Sequence, residues 1–390
     1  MQATSISRNI SLGFAQILLW GGSFFILSIL ATPIMEETKW TQPMVYGALS
    51  FALAIAGLIS PCLGRLIQYK FGERIMLYAG VLMGLGLAIV GLSVNYLMFL
   101  AGWFILGIAM GMGLYDALFA TLGWKYGKSI GKSIVYITLI SGFAPTVSWF
   151  LVSRSLTFFD WRTTCLIYAF VLVSLVYVLH KFAFKLSLAG DGQQKAELDS
   201  AISKSSSPVG ASVYYMLLAN FTIGSVLMTG ISLHLIDILL DKSFSFKVAI
   251  GMASILGPSQ VVVRMIDLFF PKLGPQKTAV LSGVAIGVGL MLLQAQGNWI
   301  YAGILVFGMG NGMRSILRAT LPMAIYGQTD YASIVGRLAR MPLVAQAATP
   351  FSAAYFLSSF GSSNFVYILI ILALVNLLLA LIIKKQTIKI

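Results

Sequence analysis

The stretch Gly111-Met-Gly-Leu-Tyr-Asp-Ala-Leu-Phe-Ala-Thr-Leu122 recurs 199 residues later as Gly310-Asn-Gly-Met-Arg-Ser-Ile-Leu-Arg-Ala-Thr-Leu321. Two shorter matches share this offset: Gly64-Arg-Leu66 with Val263-Arg-Met265, and Leu18-Leu19 with Leu217-Leu218. Three matches at one offset indicate an internal duplication. The sequence therefore predicts two structurally related halves.

The composition indicates a chain that lies in lipid. Of its 390 residues, 58% are hydrophobic and only 10% are charged, and the mean hydropathy is +0.91. A soluble domain has about a quarter charged residues, so this chain has too few to cover a water-facing surface. The net charge of +14 does not indicate nucleic acid, because the basic residues lie between apolar segments and form no aromatic-interleaved stripe. The lipid bilayer is the first partner that we expect.

Twelve apolar stretches are long enough to cross a bilayer as helices, which takes about twenty residues each. They are predicted at residues 10–34, 44–63, 75–93, 96–124, 133–153 and 163–179 in the first half, and at 211–235, 248–270, 278–293, 300–326, 341–360 and 365–383 in the second. The expected fold class is an all-α polytopic membrane protein with two pseudo-symmetric six-helix bundles. The bundles are predicted at residues 1–180 and 211–390. The polar stretch 181–210 between them is predicted to be a flexible cytoplasmic linker.

The positions of Lys and Arg predict the orientation. Eighteen of these residues fall in segments on the side that holds both termini, and five fall on the opposite side. Because positive residues in short loops resist translocation, we expect both termini in the cytoplasm and the chain in the inner membrane of a cell. Residues 1–8 lead directly into the first apolar stretch, which favours an uncleaved span over a signal peptide.

Over essentially its whole length, the chain resembles the major facilitator superfamily. The resemblance rests on six plus six spans, parallel halves, the central linker and Gly64-Arg-Leu-Ile-Gln-Tyr-Lys-Phe-Gly-Glu-Arg74, which is similar to the family's signature loop between spans two and three. Gln68 stands where the family has an acid. The segment Phe159-Asp-Trp-Arg162 is similar to the family's Gly-Trp-Arg before span six, with Asp160 in place of the glycine.

The resemblance implies a secondary transporter that works by alternating access of two bundles around a midplane site. It also implies close helix packing at a loop glycine and a cytoplasmic gate, whose residues here are Gly64, Arg65, Arg74, Arg264 and Asp267. Trp124-Lys-Tyr-Gly-Lys-Ser129 is loosely similar to the monocarboxylate and oxalate carriers. This fold needs no second copy to form its pathway, so we expect a functional monomer.

Arg314 and Arg318 are the strongest candidates for substrate contact. They lie four residues apart in the tenth span, so both guanidinium groups are predicted on one helix face. Two neighbouring cations at membrane depth require a carboxylate, water or an anionic ligand. An arginine fork grips a carboxylate with two hydrogen bonds. The alternative is that these arginines pin the tenth span to its neighbours or to the gate.

Asp116 in the fourth span is the acid nearest a membrane midplane, and it is predicted to be a proton-coupling carboxylate. The alternative is a permanent salt bridge with Arg314 or Arg318. His234, Asp237 and Asp241 share a face near the outer end of the seventh span. Two interpretations stay open for that face, a pH-sensing group and a polar helix end at the membrane surface.

The other candidates for substrate binding are uncharged and come from spans one, four, seven and ten, which the resemblance identifies as the inner helices. They are Gln16, Trp20, Phe24, Tyr115, Phe119, Asn220 and Asn311. Polar residues of this kind also bond neighbouring helices, and aromatic stripes also serve packing. Both interpretations stay open for each residue.

The sequence indicates no enzyme and no cofactor. It contains no Gly-rich lysine loop for nucleotides and no nucleophile at motif spacing from either His180 or His234. Cys62 and Cys165 have no second ligand at metal spacing, so no metal site is expected. The favoured function is ion-coupled transport, most simply proton symport, of a small organic anion. The alternatives are an exporter of drugs or siderophore-like compounds and a non-transporting membrane receptor or scaffold.

Overall fold

The described parts of the chain are helical almost throughout. The computed structural model describes residues 2–126, 130–188, 211–269, 274–326 and 331–387. Within these ranges the helices divide into two compact units, Met1–Asp199 and Ser200–Ile390.

The N-terminal unit contains helices that correspond to the first six predicted spans. They are α1 Gln2–Trp20, α2 Leu27–Thr38, α3 Gln42–Leu66, α4 Gly72–Gly91, α5 Tyr96–Gly113, α6 Tyr115–Tyr126, α7 Ile130–Ser141, α8 Ala144–Leu156, α9 Trp161–Val171 and α10 Tyr177–Leu188. Three π-helical turns join neighbouring helices, at Gly21–Phe25, Ile67–Phe71 and Leu172–Val176. Helix α10 ends eight residues beyond the predicted bundle limit at residue 180. The rest of the predicted linker, residues 189–210, lies outside the described residues.

The C-terminal unit contains fewer and longer helices. They are α11 Ala211–Asp241, α12 Phe246–Ala253, α13 Leu256–Phe269, α14 Pro275–Leu293, α15 Trp299–Tyr326 and α16 Tyr331–Thr387. Helix α16 contains the last two predicted spans.

Eleven helical segments of the described chain are long and apolar enough to cross a membrane, from Ile6–Thr38 to Arg337–Thr387. The last segment has 51 residues, which would extend about 76 Å at 1.5 Å per residue and exceeds twice the ~30 Å of a hydrocarbon core. Gly361 interrupts it with φ 80° and ψ 165°, a backbone conformation that glycine adopts without a side-chain clash. The segment therefore holds two spans, and the expected twelve-span, all-α fold class is confirmed.

Three spans are broken near their middle. In the fourth, Leu114 is extended, with φ −78° and ψ −177°, and it separates α5 from α6. The fifth is interrupted before Pro145, which occupies the first turn of α8. The eighth is interrupted at Ser254 and Ile255, just before Pro258 in the first turn of α13. Proline lacks the N–H that the preceding turn would need, so the two prolines account for two of the three breaks.

Each unit contains a similar close helix contact. In the N-terminal unit, a Cβ added to Gly102 of α5 would lie 2.9 Å from the carbonyl oxygen of Gly86 in α4. In the C-terminal unit, a Cβ added to Gly303 of α15 would lie 2.9 Å from the carbonyl oxygen of Gly289 in α14. Small residues let membrane helices approach backbone to backbone. Spans three and four, and likewise nine and ten, are thus packed tightly by glycine.

Each unit also has its own apolar core. In the N-terminal unit the fully buried members include Leu12, Met76, Leu118 and Ile137. In the C-terminal unit the buried members include Leu217, Leu321, Leu338 and Ile383.

Candidate functional site

An aromatic layer occupies the N-terminal unit where α1 meets the break between α5 and α6. The Trp20 ring lies 5.2 Å from the Tyr115 ring and 5.6 Å from the Phe24 ring. The Tyr115 and Phe119 rings are stacked at 5.3 Å. The structure therefore brings together the four aromatic residues that the sequence predicted. Phe24 is completely buried, so it packs the layer from inside, whereas Trp20, Tyr115 and Phe119 are half-buried.

Two backbone irregularities position this layer. The π-helical turn Gly21–Phe25 directly follows Trp20, and π-helical turns occur often at functional sites. The Leu114 break leaves the Gly113 carbonyl outside a regular helix, and Gln16 donates a hydrogen bond to it from Nε2 at 2.7 Å. Gln16 is completely buried. Its role in this structure is to hold the break, so the structure supports the packing interpretation for Gln16.

Asp116 lies in the first turn of α6, immediately after the break. Its side chain is exposed, unlike those of Ala117 and Leu118, which are buried. The N-terminal end of a helix carries unpaired N–H groups and a partial positive charge, which stabilise an acidic side chain there. Tyr115, the preceding residue, shares a 2.6 Å hydrogen bond between its hydroxyl and that of Ser141 in α7.

Arg314 is buried in the C-terminal unit and bonds to the main chain of α11. Its Nη2 donates to the Phe221 carbonyl at 2.7 Å and lies 3.5 Å from the Asn220 carbonyl. A Cβ on Gly224 would overlap the Arg314 guanidinium, so only a glycine at this position leaves room for the group. For Arg314 the sequence left two interpretations open, substrate contact and a structural link to a neighbouring helix. The bonds to α11 fit the structural link.

Asn220 and Asn376 form a reciprocal pair beside Arg314. Asn220 Nδ2 donates to the Asn376 carbonyl at 3.0 Å, and Asn376 Nδ2 donates to the Asn220 carbonyl at 2.7 Å. Both side chains are buried. The pair links α11 to α16, so Asn220 bonds a neighbouring helix in this structure. Asn311 is buried as well, at 4% exposure.

Arg318 lies one helical turn after Arg314 on α15, and its environment is different. Its side chain is exposed, and no hydrogen bond to the described residues of its own unit holds it. Helix α15 contains both arginines and no acidic residue. This arrangement leaves Arg318 as the accessible cation of the pair.

The structure describes only some of the side chains that were expected at the gate. Arg65 is exposed, and the Arg74 guanidinium lies 5.8 Å from the Phe71 ring. Arg264 donates to Gln260 Oε1 at 3.3 Å, whereas the Asp267 side chain lies outside the described residues. Among the described residues, a Cβ on Gly64 would meet no atom within 4 Å. A close approach occurs at Gly72 of the same segment, where a Cβ would lie 2.7 Å from the Thr121 hydroxyl.

A charged cluster that sequence reasoning did not find joins three spans at the opposite end of the N-terminal unit. Glu37 accepts hydrogen bonds from Trp161 Nε1 at 2.6 Å and from Arg162 Nε at 2.9 Å. Arg162 Nη1 also donates to the main-chain carbonyls of Gly91 and Ser93. The Trp-Arg pair was recognised in the sequence, but its acidic partner lies more than a hundred residues earlier. We call Glu37, Trp161 and Arg162 the outer clamp.

Asp160 begins α9 just before the outer clamp. Its side chain accepts a hydrogen bond from the Thr163 N–H at 2.7 Å. That bond favours the ionised carboxylate and holds the pKa of Asp160 below its ordinary value. Asp160 therefore acts as a helix cap here. In the part of the chain that the structure describes, no three His, Cys, Asp or Glu side chains come together as a metal site.

The sequence profile of the Major Facilitator Superfamily matches residues 12–339. The chain belongs to the Major Facilitator Superfamily. This assignment agrees with the two-unit helical fold, and it identifies the protein as a multi-pass membrane transporter of small molecules rather than an enzyme. Among curated protein sequences, no relative matches this chain.

Solved structures of three transporters share the superfamily fold with this chain. A point mutant of the nucleoside transporter NupG is 15% identical with a TM-score of 0.70, over 98% of this chain and 99% of that one. A bacterial homologue of the human lysosomal transporter Spinster is 12% identical with a TM-score of 0.68, over 100% and 98% of the two chains. A POT family transporter in complex with a thioalcohol-conjugated peptide is 12% identical with a TM-score of 0.74, over 98% and 96%. At this identity the likeness establishes the superfamily fold and no substrate.

Proposed function

We propose that this superfamily member is a secondary active transporter that moves a small organic anion together with protons. It works by alternating access as a monomer, in the inner membrane of a cell, with both termini in the cytoplasm. The positive residues between spans support the orientation. The proposal that the substrate is an anion rests on the arginine pair of α15, Arg314 and Arg318.

In this proposal the two arginines have different roles in anion binding. Arg314 is fixed by main-chain carbonyls of α11, so its charge stays in place without an acidic partner on its own helix. Arg318, one turn away, is exposed and presents a planar fork. Fixed positive charge in a low-dielectric setting raises the local concentration of anions, and a fork binds a carboxylate with two parallel hydrogen bonds. Arg318 is thus the proposed ligand to the substrate, and Arg314 its electrostatic support.

Proton coupling is assigned to Asp116. The Asp116 carboxylate lies at a helix break within a span, and its side chain is exposed rather than packed against neighbouring residues. The helix break resembles those of other secondary transporters, in which interrupted helices form the substrate and ion sites.

The aromatic layer favours a second candidate, the export of drugs or siderophore-like compounds. The layer offers a flat apolar surface formed by Trp20, Tyr115 and Phe119. The Asp116 carboxylate lies next to it in the sequence, and the layer itself contains no arginine. Such a surface suits a largely apolar or cationic solute. The two candidates differ in whether Arg318 is needed for binding.

Ligand-induced thermal stabilisation of the purified protein distinguishes them. The library contains carboxylates, amino acids, nucleosides, peptides and cationic drugs, and the variants are Arg318→Ala and Arg318→Lys. A carboxylate at a hundredfold excess over its Kd should stabilise the protein by about 2.7 kcal/mol. Arg318→Ala should weaken that binding by ~10- to 100-fold, because a hydrogen bond to a charged group contributes about 1.5–3 kcal/mol. Arg318→Lys should restore it only in part.

Arg340→Ala is the matched control, since Arg340 is an exposed arginine of the same unit. It should bind the carboxylate as the unmodified protein does. Stabilisation by cationic drugs that is indifferent to Arg318 would contradict the anion proposal and favour export. Solute accumulation in proteoliposomes that follows an imposed proton gradient would separate both transport candidates from a receptor or scaffold.

A further inference from the structure

Several helix ends of the C-terminal unit meet around Tyr326, the last residue of α15. The apolar cluster that contains Tyr326 also includes Val213 near the start of α11, Ala279 near the start of α14, and Ile334 and Ile383 from the two ends of α16. This is the end of the unit that the charge pattern predicts to be cytoplasmic. We call it the inner end of the C-terminal unit.

The Tyr326 hydroxyl is enclosed at the inner end without a hydrogen bond. The residue is 9% exposed, and its hydroxyl oxygen is buried with no partner among the described residues. Burial of a hydroxyl without a hydrogen bond is unfavourable. A phenylalanine would fill the same space without that cost. A ligand that accepts a hydrogen bond would explain why this position holds a tyrosine.

Two further donors lie around that hydroxyl. It interacts electrostatically with Tyr214 of α11 and with Arg337 of α16, and the Arg337 guanidinium lies 5.8 Å from the centre of the Tyr214 ring. The Arg337 side chain is exposed, and no carboxylate of the described residues pairs with it. Arginine has five N–H donors and no acceptor, and a tyrosine hydroxyl can also donate. The three side chains can therefore donate to one ligand.

The helices that meet at the inner end bring positive charge to it and no acid. Helices α14, α15 and α16 contain no Asp or Glu, and both acids of α11, Asp237 and Asp241, lie near its other end. The basic residues at the inner end are Lys277, Arg337, Arg340, Lys384 and Lys385. Basic residues on the cytoplasmic side orient a membrane protein without any ligand, but that rule does not explain an enclosed hydroxyl. The two features together favour an anionic ligand.

We propose that Tyr214, Tyr326 and Arg337 bind a phosphate group at the inner end of the C-terminal unit. The planar fork of Arg337 binds two of its oxygens, and the tyrosine hydroxyls donate to the others. The group belongs to the headgroup of an anionic phospholipid or to a soluble phosphate compound, because basic pockets between helices on the cytoplasmic side attract such headgroups and the inner end also faces the aqueous phase.

The phosphate site is separate from the proposed substrate site. Arg318 lies eight residues before Tyr326 on α15, about 12 Å along the helix axis at 1.5 Å per residue. A phosphate bound to Tyr214, Tyr326 and Arg337 would join α11, α15 and α16 at one end. Its binding therefore requires neither the anionic substrate nor proton coupling.

The first test measures binding to the full-length protein, purified free of lipid in a non-ionic detergent. One series adds phosphatidylglycerol, with phosphatidylcholine as the reference that has no net charge, and native mass spectrometry counts the bound lipids. The other series adds inorganic phosphate, with chloride at equal ionic strength as the reference, and thermal unfolding measures the affinity. Selective binding of phosphatidylglycerol alone identifies a lipid headgroup as the ligand. Stabilisation by inorganic phosphate identifies a soluble compound. Selective binding in neither series would overturn the proposal.

Single-residue variants decide whether these side chains form the site. Tyr326→Phe removes one hydroxyl and keeps the ring that packs the cluster. It should weaken binding ~10-fold or more, because a hydrogen bond to a charged group is lost, and Arg337→Ala should weaken binding at least as much. The matched controls are Tyr215→Phe, which alters the neighbouring, 65% exposed tyrosine, and Arg340→Ala, which removes an exposed cation three residues further along α16. Both should bind within about threefold of the unmodified protein, since solvent screens exposed groups.

The unfolding temperature of Tyr326→Phe separates a ligand site from a purely structural hydroxyl. Without ligand, the variant should unfold at the same temperature as the unmodified protein or at a higher one, because the hydroxyl that it loses has no partner. With saturating ligand for the unmodified protein, it should unfold at a lower temperature. An equal decrease with and without ligand would overturn the proposal. Equal losses of binding in Arg337→Ala and Arg340→Ala would overturn it as well, since they would indicate general attraction by positive charge. No transport is measured, so failure of the anion-transport proposal would leave these results unaffected.

Discussion

Arg314 shows how a membrane helix keeps a buried cation without an acidic partner of its own. The side chain is 7% exposed, and an isolated charge at that burial would be costly in an apolar medium. Main-chain carbonyls of α11 compensate it, because Gly224 has no side chain between them and the guanidinium. The position of Arg314 therefore depends on a residue 90 positions earlier in the sequence.

Gly224→Ala tests this dependence at the level of one methyl group. The new Cβ would overlap the guanidinium, so Arg314 must leave its carbonyl partners. Overpacking a tight site costs about 1–3 kcal/mol, and buried donors that lose their partners add to that cost. We expect a lower thermal unfolding temperature in detergent and weaker anion binding.

Gly287→Ala in α14 is the matched control, since a Cβ there meets no atom within 4 Å. Its unfolding temperature should stay close to that of the unmodified protein. Equal unfolding temperatures for the two variants would contradict the role given to Gly224.

At the scale of the helices, the outer clamp holds together the ends of spans one, three and six. Glu37 lies near the end of α2 and Arg162 lies in the first turn of α9, whereas the carbonyls of Gly91 and Ser93 lie at and just beyond the end of α4. The Arg162 guanidinium also lies 4.3 Å from the Trp161 ring. Three helices of one bundle thus share a single guanidinium.

Arg162→Ala should destabilise the protein by ~1–3 kcal/mol, because it removes charge-assisted hydrogen bonds to three partners. The lower part of that range is expected, since 48% of the Glu37 side chain is exposed and solvent screens the ion pair. Thermal unfolding monitored by tryptophan fluorescence measures the effect. Arg154→Ala, which removes a contact with the Phe158 ring at 4.7 Å, should cost less than ~1 kcal/mol. If Arg154→Ala lowered the free energy of unfolding more than Arg162→Ala does, the stabilising role given to the outer clamp would be contradicted.

The sequence predicts the helices well because hydropathy is a local property. Helix α14 ends at Leu293 as expected, and the fourth span begins at Tyr96 as expected. The break at Leu114 was not predicted, because neither a proline nor a polar residue marks it. The glycines at 111 and 113 are the only local signal, and their significance depends on Gln16 from another helix. The outer clamp was missed for the same reason, since Glu37 and Arg162 become neighbours only in the fold.

The candidate site, like the helices, could be predicted from the sequence only in its local features. Residue types and helix spacing identified the arginine pair and the aromatic layer. They did not show which members are accessible, because exposure depends on the neighbouring helices. Among the candidates for solute contact, Gln16, Phe24 and Asn220 are buried in this structure. The members that keep accessible surface are Trp20, Tyr115, Phe119, Asp116 and Arg318.

For the whole molecule, the charge pattern predicts an orientation that labelling can test. Tyr69, 73% exposed between α3 and α4, and Val94, 84% exposed between α4 and α5, lie at opposite ends of α4. In a Cys62→Ser, Cys165→Ser background, Tyr69→Cys should react with a membrane-impermeant thiol reagent only in inside-out vesicles. Val94→Cys should react only in intact cells. The reverse pattern would place both termini outside.

The Gly361 turn has a consequence for how the chain is made. No charged residue lies between Arg340 and Lys384, so this short turn carries nothing that opposes its passage through the bilayer. We therefore expect the two halves of α16 to enter the membrane together, as one apolar hairpin with basic residues at its two open ends.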